Sequence, residues 1–273
     1  MNDIKSMNLE ELQAVCEALG EKPFRAKQLY EWIHQKMVSS YEEMTNLSAK
    51  FRKRLEEEYP FHPLEIVEVQ TSRLDGTRKY LFELQDGNVI ESVLMRYHHG
   101  NSVCISSQVA AGWLPLLRVH DRRLVRPLTA GEMLEQVYRI SAHTGERVSH
   151  VVVMGTGEPL DNYDNLVRFV HMISDPRGMN ISQRNLTVST CGIVPNMRRL
   201  AREHLQITLA LSLHAPNDEK RRALMPIAHR YTMDEVLDAC RYYFQETGRR
   251  LTFEYALVGG ENDSQEDADQ LAE

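Results

Sequence analysis

The sequence is poor in cysteine: its 273 residues hold four, at positions 16, 104, 191 and 240. No two are close enough to form a CxxC pair, so the chain as written shows no cysteine metal site. It has no apolar run approaching ~18 residues, which excludes a membrane-spanning helix. Its start, MNDIKSMNLEELQ, is acidic where a secretory signal needs a basic patch followed by an apolar stretch. There is no excess of positive charge either. The net charge is −7, which gives no global pull toward nucleic acid, so any RNA binding rests on local basic patches. What is present, 26% charged and 42% hydrophobic residues, excludes a disordered or collagen-like chain. A reducing cytoplasm with the cysteines as thiols is the expectation. The length allows one or two domains, each with a sizeable core.

Residues 1–62 read as helical. Leu9, Leu12, Val15, Cys16 and Leu19 keep a helical period that Gly20 stops. A second helix opens after Pro23 with Phe24, Leu29, Trp32 and Ile33 as its apolar residues, and a third covers Ala49 to Tyr59. Lys22, Arg25, Lys27 and Lys36 make the second helix locally basic, and Arg52, Lys53 and Arg54 sit on the third. Glu56, Glu57 and Glu58 follow at once, so composition alone reads these charges as a solvated face.

From residue 65 the period changes. Asp75-Gly76 and Asp86-Gly87 are hairpin turns around strands at Tyr80–Leu84 and Val89–Met95. Alternating units follow. A helix spans Ala130–Ala142, entered through Thr129 with Glu132 at capping-box spacing. Strands are expected at His150–Met154, Leu186–Ser189, Ile207–Leu213 and Leu251–Leu257. Helices are expected at Asn165–Ile173, Asn196–Glu203, Met233–Phe244 and from Ser264. This alternation implies an α/β fold with a parallel sheet and crossover helices.

In such sheets ligands bind beyond the carboxyl ends of the strands. Those ends carry Gly155-Thr156-Gly157-Glu158-Pro159-Leu160, then Ser189-Thr190-Cys191-Gly192, then Ser212-Leu213-His214-Ala215, and last Gly259-Gly260-Glu261-Asn262-Asp263. Two glycines admit a close backbone approach, and Glu158 offers an acceptor for an amine. One polar strand end is ordinary turn chemistry, and Ser189 or Asn262 alone reads as a helix cap. Four in succession argue for a polar ligand spread across the sheet.

The order of these segments resembles the RlmN/Cfr family of radical S-adenosylmethionine RNA methyltransferases, and within it the RlmN branch. Pro23-Phe24-Arg25-Ala26-Lys27-Gln28-Leu29, Ile90-Glu91-Ser92-Val93-Leu94 and Cys104-Ile105-Ser106-Ser107-Gln108-Val109 carry the likeness in the first half. Gly155–Leu160, Ser189–Pro195, Ser212–Asp218 and Glu261–Ser264 carry it in the second. The resemblance implies a partial radical-SAM (β/α) barrel with parallel strands over 110–273. A helical RNA-binding-type domain over 1–62 and a β-hairpin connection over 63–109 precede it. It implies S-adenosylmethionine bound by Gly157, Glu158, Ser189, Ser212, Leu213, His214 and Asn262. Glu91 is then the proton acceptor and Cys104 the thiol that resolves a covalent protein–RNA intermediate. Without the likeness, Cys104 reads as a buried strand cysteine and Glu91 as an exposed strand residue.

The implied reaction is methylation of adenine carbon 2 in 23S ribosomal RNA and transfer RNA. That carbon is electron-poor and does not attack a methyl sulfonium. The family therefore carries the methyl group on a cysteine and activates it by radical chemistry, which requires a [4Fe–4S] cluster on three cysteine thiolates. The implied partners are the two RNAs and a small reductase or flavodoxin-type electron donor, with no membrane, and the enzyme is a cytoplasmic monomer.

Two departures stand out. After SSQV the family reads Gly-Cys-x-x-x-Cys-x-x-Cys, whereas this chain reads Ala110-Ala111-Gly112-Trp113-Leu114-Pro115-Leu116-Leu117-Arg118. All three ligands are absent, and His120 is one potential ligand rather than three. One legal back-translation of Ala110–Arg123 regains the whole motif when three single bases are put back. The frame then returns at Leu124-Val125-Arg126. The window is thus read as frame-scrambled, by mutation or by error in the recorded sequence. Most of the basic run Arg118, Arg122, Arg123 and Arg126 is then a product of the shifted frame. The second departure is that the chain stops at Leu271-Ala272-Glu273, inside an expected helix and before the C-terminal cysteine that carries the methyl group in the family. As written, the chain is expected to bind S-adenosylmethionine weakly and to be inactive. The alternatives are a non-catalytic RNA-binding paralogue and, with less support, an unrelated barrel enzyme of aldolase type, for which no strand-end lysine is present.

Overall fold

The computed structural model describes residues 3–110 and 124–272. The window read above as frame-scrambled, Ala110–Arg123, lies outside the described residues except for Ala110. The chain divides into two compact units, Met1–Gly157 with Asp164–Ser182, and Glu158–Tyr163 with Gln183–Glu273.

The first unit opens with helices α1 (Leu9–Ala18), α2 (Phe24–Tyr30) and α3 (Ala49–Glu58). At α1 the Asn8 side chain accepts from Glu11 N–H while the Glu11 carboxylate accepts from Asn8 N–H, a complete capping box. Leu12, Val15 and Cys16 of α1 share a core with Leu29, Tyr30 and Ile33 and with Phe51 and Leu55 of α3. Each such burial contributes about 1.5–3 kcal/mol. Phe24 departs from expectation and is 50% exposed. The face of α2 that meets the core runs Ala26, Leu29, Tyr30 and Ile33, the i, i+3, i+4, i+7 stripe. Phe24 lies off it, with the Arg25 guanidinium over its ring.

Four strands follow in an antiparallel meander: β1 (Glu65–Thr71), β2 (Arg78–Glu83), β3 (Val89–Tyr97) and β4 (Gly100–Ile105). Gly76 and Gly87 take the positive φ that both predicted turns require. A short antiparallel pair, β5 (Gln108–Ala110) and β6 (Leu124–Pro127), comes next. Helix α4 (Ala130–Thr144) then leads to β7 (Val148–Val153), which pairs with β4 in parallel. Helix α5 (Tyr163–Ser174) follows.

Buried polar contacts join the helical segment to α4. Lys5 Nζ lies 3.0 Å from Glu135, both side chains 3–4% exposed, and it also donates to the His62 carbonyl. Burial lowers the Lys5 pKa, and the Glu135 carboxylate works against that shift. His34 Nδ1 lies 2.9 Å from the Tyr138 hydroxyl, and complete burial pushes its pKa down to about 3.

The second unit contains β8 (Leu186–Thr190), α6 (Val194–Ala201), β9 (Thr208–Ser212), α7 (Asp218–Leu224), α8 (Met233–Thr247), β10 (Leu251–Glu254) and α9 (Gln265–Ala272). The three strands are parallel neighbours in the order β8-β9-β10. Helix α8 carries the Thr232/Glu235 capping box and ends at left-handed Gly248. Its buried face is Val236, Ala239, Cys240 and Tyr243. Strand β10 ends at Glu254, short of the expected Leu257. Beyond it the Asn262 side chain takes over the backbone groups of the loop. Among the described residues no helix is long and apolar enough to cross a membrane.

A candidate cofactor site at the strand ends

Within the second unit, the carboxyl ends of β8, β9 and β10 bring three side chains together. Glu254 Oε2 accepts from Ser189 Oγ at 3.1 Å and from Ser212 Oγ at 3.2 Å, and the two hydroxyls are 3.4 Å apart. The pairing of Ser212 with Glu254 across β9 and β10 fixes this geometry. Ser189 and Ser212 were legible in the sequence; Glu254 was not. It falls inside the strand expected to run to Leu257, where a carboxylate gives no strand-end signal.

Leu213 and His214 continue β9. Their N–H groups both donate to the Glu254 carbonyl, at 3.0 and 3.2 Å. His214 has φ +56°, a left-handed conformation uncommon for a residue with a Cβ and maintained only where its surroundings fix it. Here they do. Ala256 N–H donates to His214 Nδ1 at 3.0 Å, and the Asn262 amide donates to the His214 carbonyl at 2.6 Å. A ring that accepts at Nδ1 carries its proton on Nε2. Burial lowers the His214 pKa, the nearby Glu254 carboxylate opposes this, and Arg221 adds to it. The imidazole therefore presents a neutral Nε2–H donor.

Asn262 is 1% exposed. Its amide also donates to the Ala256 carbonyl at 2.8 Å, and its Oδ1 accepts from Val258 N–H at 2.7 Å. Both amide hydrogens thus end on backbone. Arg221, fully buried, ties the strand ends from beneath. Its Nη2 donates to the Cys191 carbonyl at 2.7 Å and the Ser212 carbonyl at 3.3 Å, and its Nε donates to the Leu213 carbonyl at 3.3 Å. A stretch such as Asp218-Glu219-Lys220-Arg221-Arg222 reads as a solvated helix, so nothing in the sequence marked this residue.

Glu158 is anchored in the same unit, with Oε1 accepting from Leu160 N–H at 2.9 Å and Oε2 from Cys191 N–H at 2.7 Å. These two backbone donors orient the carboxylate, a group of the acceptor type that an amine requires. Gly157, in the first unit, has φ +106°. A Cβ there would meet Gln108 Cβ at 2.6 Å and Ser107 Oγ at 2.8 Å. This glycine is required by the close approach of its own chain, in addition to any ligand.

Glu91 and Cys104 lie in the first unit. Cys104 pairs with Val93 across β3 and β4, and Glu91 is two residues from Val93, so the two share one sheet face as diagonal neighbours. The Glu91 carboxylate is exposed and lies 3.9 Å from Lys79 Nζ. The opposite face of β3 is buried at Ile90, Ser92 and Leu94.

The remaining cysteines do not supply a cluster. Cys16 and Cys240 are buried, and desolvation raises each thiol to about 11. Burial and the Glu158 carboxylate push Cys191 higher still, away from the thiolate that binds metal. Among the described residues no group of three or more His, Cys, Asp or Glu is placed to hold a metal ion. Among the described residues the donor set does not fit a [4Fe–4S] cluster. Arg126 of the basic run grips Glu132 through two contacts, at 2.7 and 2.8 Å, and Asp86 at 2.5 Å. Arg118, Arg122 and Arg123 lie outside the described residues.

Comparison with known proteins agrees with this architecture. Residues 2–60 match the ribosomal RNA large subunit methyltransferase N-terminal domain, and residues 102–272 match the radical SAM superfamily. A protein of Lachnospira eligens named "Probable dual-specificity RNA methyltransferase RlmN" is 59% identical over 276 residues, covering 100% of this chain and 78% of that protein. Its namesake in Lachnoclostridium phytofermentans is 56% identical, covering 99% of this chain and 76% of that protein. A crystal structure of a radical SAM methyltransferase from Sphaerobacter thermophilus superposes with a TM-score of 0.92 at 41% identity. It covers 99% of this chain and 80% of that one. The chain belongs to the RlmN family of radical SAM RNA methyltransferases.

Proposed function

We propose that this chain descends from an enzyme that methylates carbon 2 of adenine in 23S ribosomal RNA and transfer RNA, and that it retains the S-adenosylmethionine site without the radical chemistry. The observation that carries the site is the Ser189–Ser212–Glu254 cluster, held beside neutral His214. When bound, S-adenosylmethionine supplies the methyl group and, in the family, the radical precursor. Glu158 accepts from its ammonium, Ser189 and Ser212 supply hydroxyl partners, and His214 Nε2–H donates to an acceptor. Gly157 and Leu213 contribute backbone, and Asn262 holds the His214 loop. In the intact reaction Glu91 takes the ring proton and Cys104 attacks the methylene link.

The loss of radical chemistry rests on the cysteine content. The four thiols at 16, 104, 191 and 240 do not supply three cluster ligands, so no step is assigned to a cluster here. The division proposed is a helical RNA-binding domain over 1–62, a hairpin connection over 63–109, and the radical SAM part over 110–273. RNA contact falls to the first of these. The same cysteine content favours a second reading, a non-catalytic RNA-binding paralogue, which like the first is placed in the cytoplasm, as a monomer. The electron donor of the family has no role in either.

Filter binding of transfer RNA and 23S fragments, alongside an iron and sulfide assay, tests the proposal. RNA retention with iron near zero is the expected result. Iron at about four per chain, the content of one [4Fe–4S] cluster, overturns the claim of inactivity.

A further inference from the structure

We infer that His99 and His150 form a binding site for a borderline divalent cation of the zinc or nickel class. The site lies within the first unit and does not depend on the proposed S-adenosylmethionine site. His98 and His99 make the turn between β3 and β4, closed by the pairing of Tyr97 with Gly100. His150 stands on β7 opposite Ser102 of β4, which is in turn opposite Met95 of β3. Residues directly opposite one another share a sheet face, so His150, Ser102 and Met95 form one row. Tyr97, two residues beyond Met95, lies on the same face, and its hydroxyl donates to Met95 Sδ at 3.4 Å. The His99 ring stacks on Tyr97 with centroids 5.1 Å apart and planes 6° from parallel. It meets the His150 ring edge-on, with centroids 5.0 Å apart. A Cβ at Gly100 would collide with the Ser149 hydroxyl, so this glycine lets β7 approach the turn.

The spacing of the two rings suits a shared ion. Imidazole nitrogens bind zinc at ~2.0–2.1 Å in tetrahedral geometry, which puts the centroids of two ligating rings about 5 Å apart. The tautomer fits as well. The Ser149 hydroxyl donates to the Asn101 carbonyl at 3.2 Å and lies 2.9 Å from His150 Nδ1. With its one proton committed, the hydroxyl accepts from Nδ1–H, which leaves the His150 lone pair on Nε2. A metal-binding imidazole is oriented by a hydrogen bond of this kind from its other nitrogen. Neutral imidazole suits zinc, nickel and copper, whereas magnesium and calcium call for oxygen ligands. Glu146, just before β7, is engaged by Arg96 at 2.7 Å and by Asn101 at 3.0 Å. His98 also lies against His99, at 5.1 Å between centroids. No three His, Cys, Asp or Glu among the described residues converge on one point, so water fills the remaining positions on the ion.

Calorimetric titration of the metal-stripped full chain with Ni2+ tests the site, with Mg2+ as the control ion. Wild type is compared with H99Q, H150Q and H98Q, after thermal unfolding without metal shows which variants are folded. The expected result is Ni2+ binding that weakens by about tenfold or more in H99Q and in H150Q and is retained in H98Q. Ni2+ is also expected to raise the unfolding midpoint of wild type and not that of H99Q. His99 is exposed in the turn, so H99Q carries the test if H150Q does not fold. Unchanged affinity in either H99Q or H150Q places the ion elsewhere and overturns the inference. Equal loss in H98Q, a response to Mg2+ equal to that to Ni2+, or no Ni2+ binding by wild type overturns it as well.

Discussion

Arg221 donates through Nη2 to the carbonyl of Cys191 at 2.7 Å, from a position with no solvent exposure. The same guanidinium reaches the Ser212 and Leu213 carbonyls, so one side chain holds the ends of β8 and β9 in the register that brings Ser189 and Ser212 together. Among the described residues its remaining nitrogen, Nη1, is buried without a hydrogen-bond partner. A lysine is shorter and presents no fork. R221K is expected to destabilise the chain by about 2 kcal/mol or more, measured by urea unfolding.

The Lys5–Glu135 pair is expected to show the asymmetry of buried ion pairs. K5M leaves the Glu135 carboxylate buried beside the Leu64 N–H alone and is predicted to cost about 3–5 kcal/mol. K5M/E135L removes both charges and recovers most of that loss. Equal destabilisation in the single and double variants would show that packing, not charge, is at stake. The measurement is denaturant unfolding of the two variants beside wild type.

His34 predicts an acid limb in stability. Its pKa falls from an ordinary 6.5 to about 3 in the folded chain, so the unfolded chain binds the extra proton first. The stabilising contribution is complete above pH ~6.5 and declines by about 1.4 kcal/mol per unit as pH falls toward 3. H34Q is expected to flatten this limb while lowering stability at neutral pH. Unfolding midpoints between pH 4 and 8 check both parts.

Asn262 distinguishes a positioning residue from a ligand. N262D keeps the acceptor for Val258 N–H but loses the donors to the His214 and Ala256 carbonyls. It is expected to cost about 1–3 kcal/mol of stability without any ligand present. A residue that only touched the cofactor would alter affinity and leave the unfolding midpoint unchanged.

Local signals carried much of the fold. Helix α1 announced itself through its apolar period and α4 through the Thr129/Glu132 capping-box spacing, and the turns at Gly76 and Gly87 through their dipeptides. Strands β1 and β4 were not delimited in the sequence; β1 is a largely exposed edge strand with little alternation. Ser189, Ser212 and His214 were readable as polar strand ends. Glu254 and Arg221 were not, since each acquires its role only when neighbouring strands lie side by side. The Lys5–Glu135 pair joins residues 130 positions apart, and no window of sequence contains it.

Anaerobic incubation of the chain with S-adenosylmethionine and dithionite, followed by quantification of 5′-deoxyadenosine, tests the central claim most directly. The predicted result is no 5′-deoxyadenosine above the protein-free control, although calorimetry registers S-adenosylmethionine binding. 5′-Deoxyadenosine that accumulates with time and in proportion to protein would contradict it.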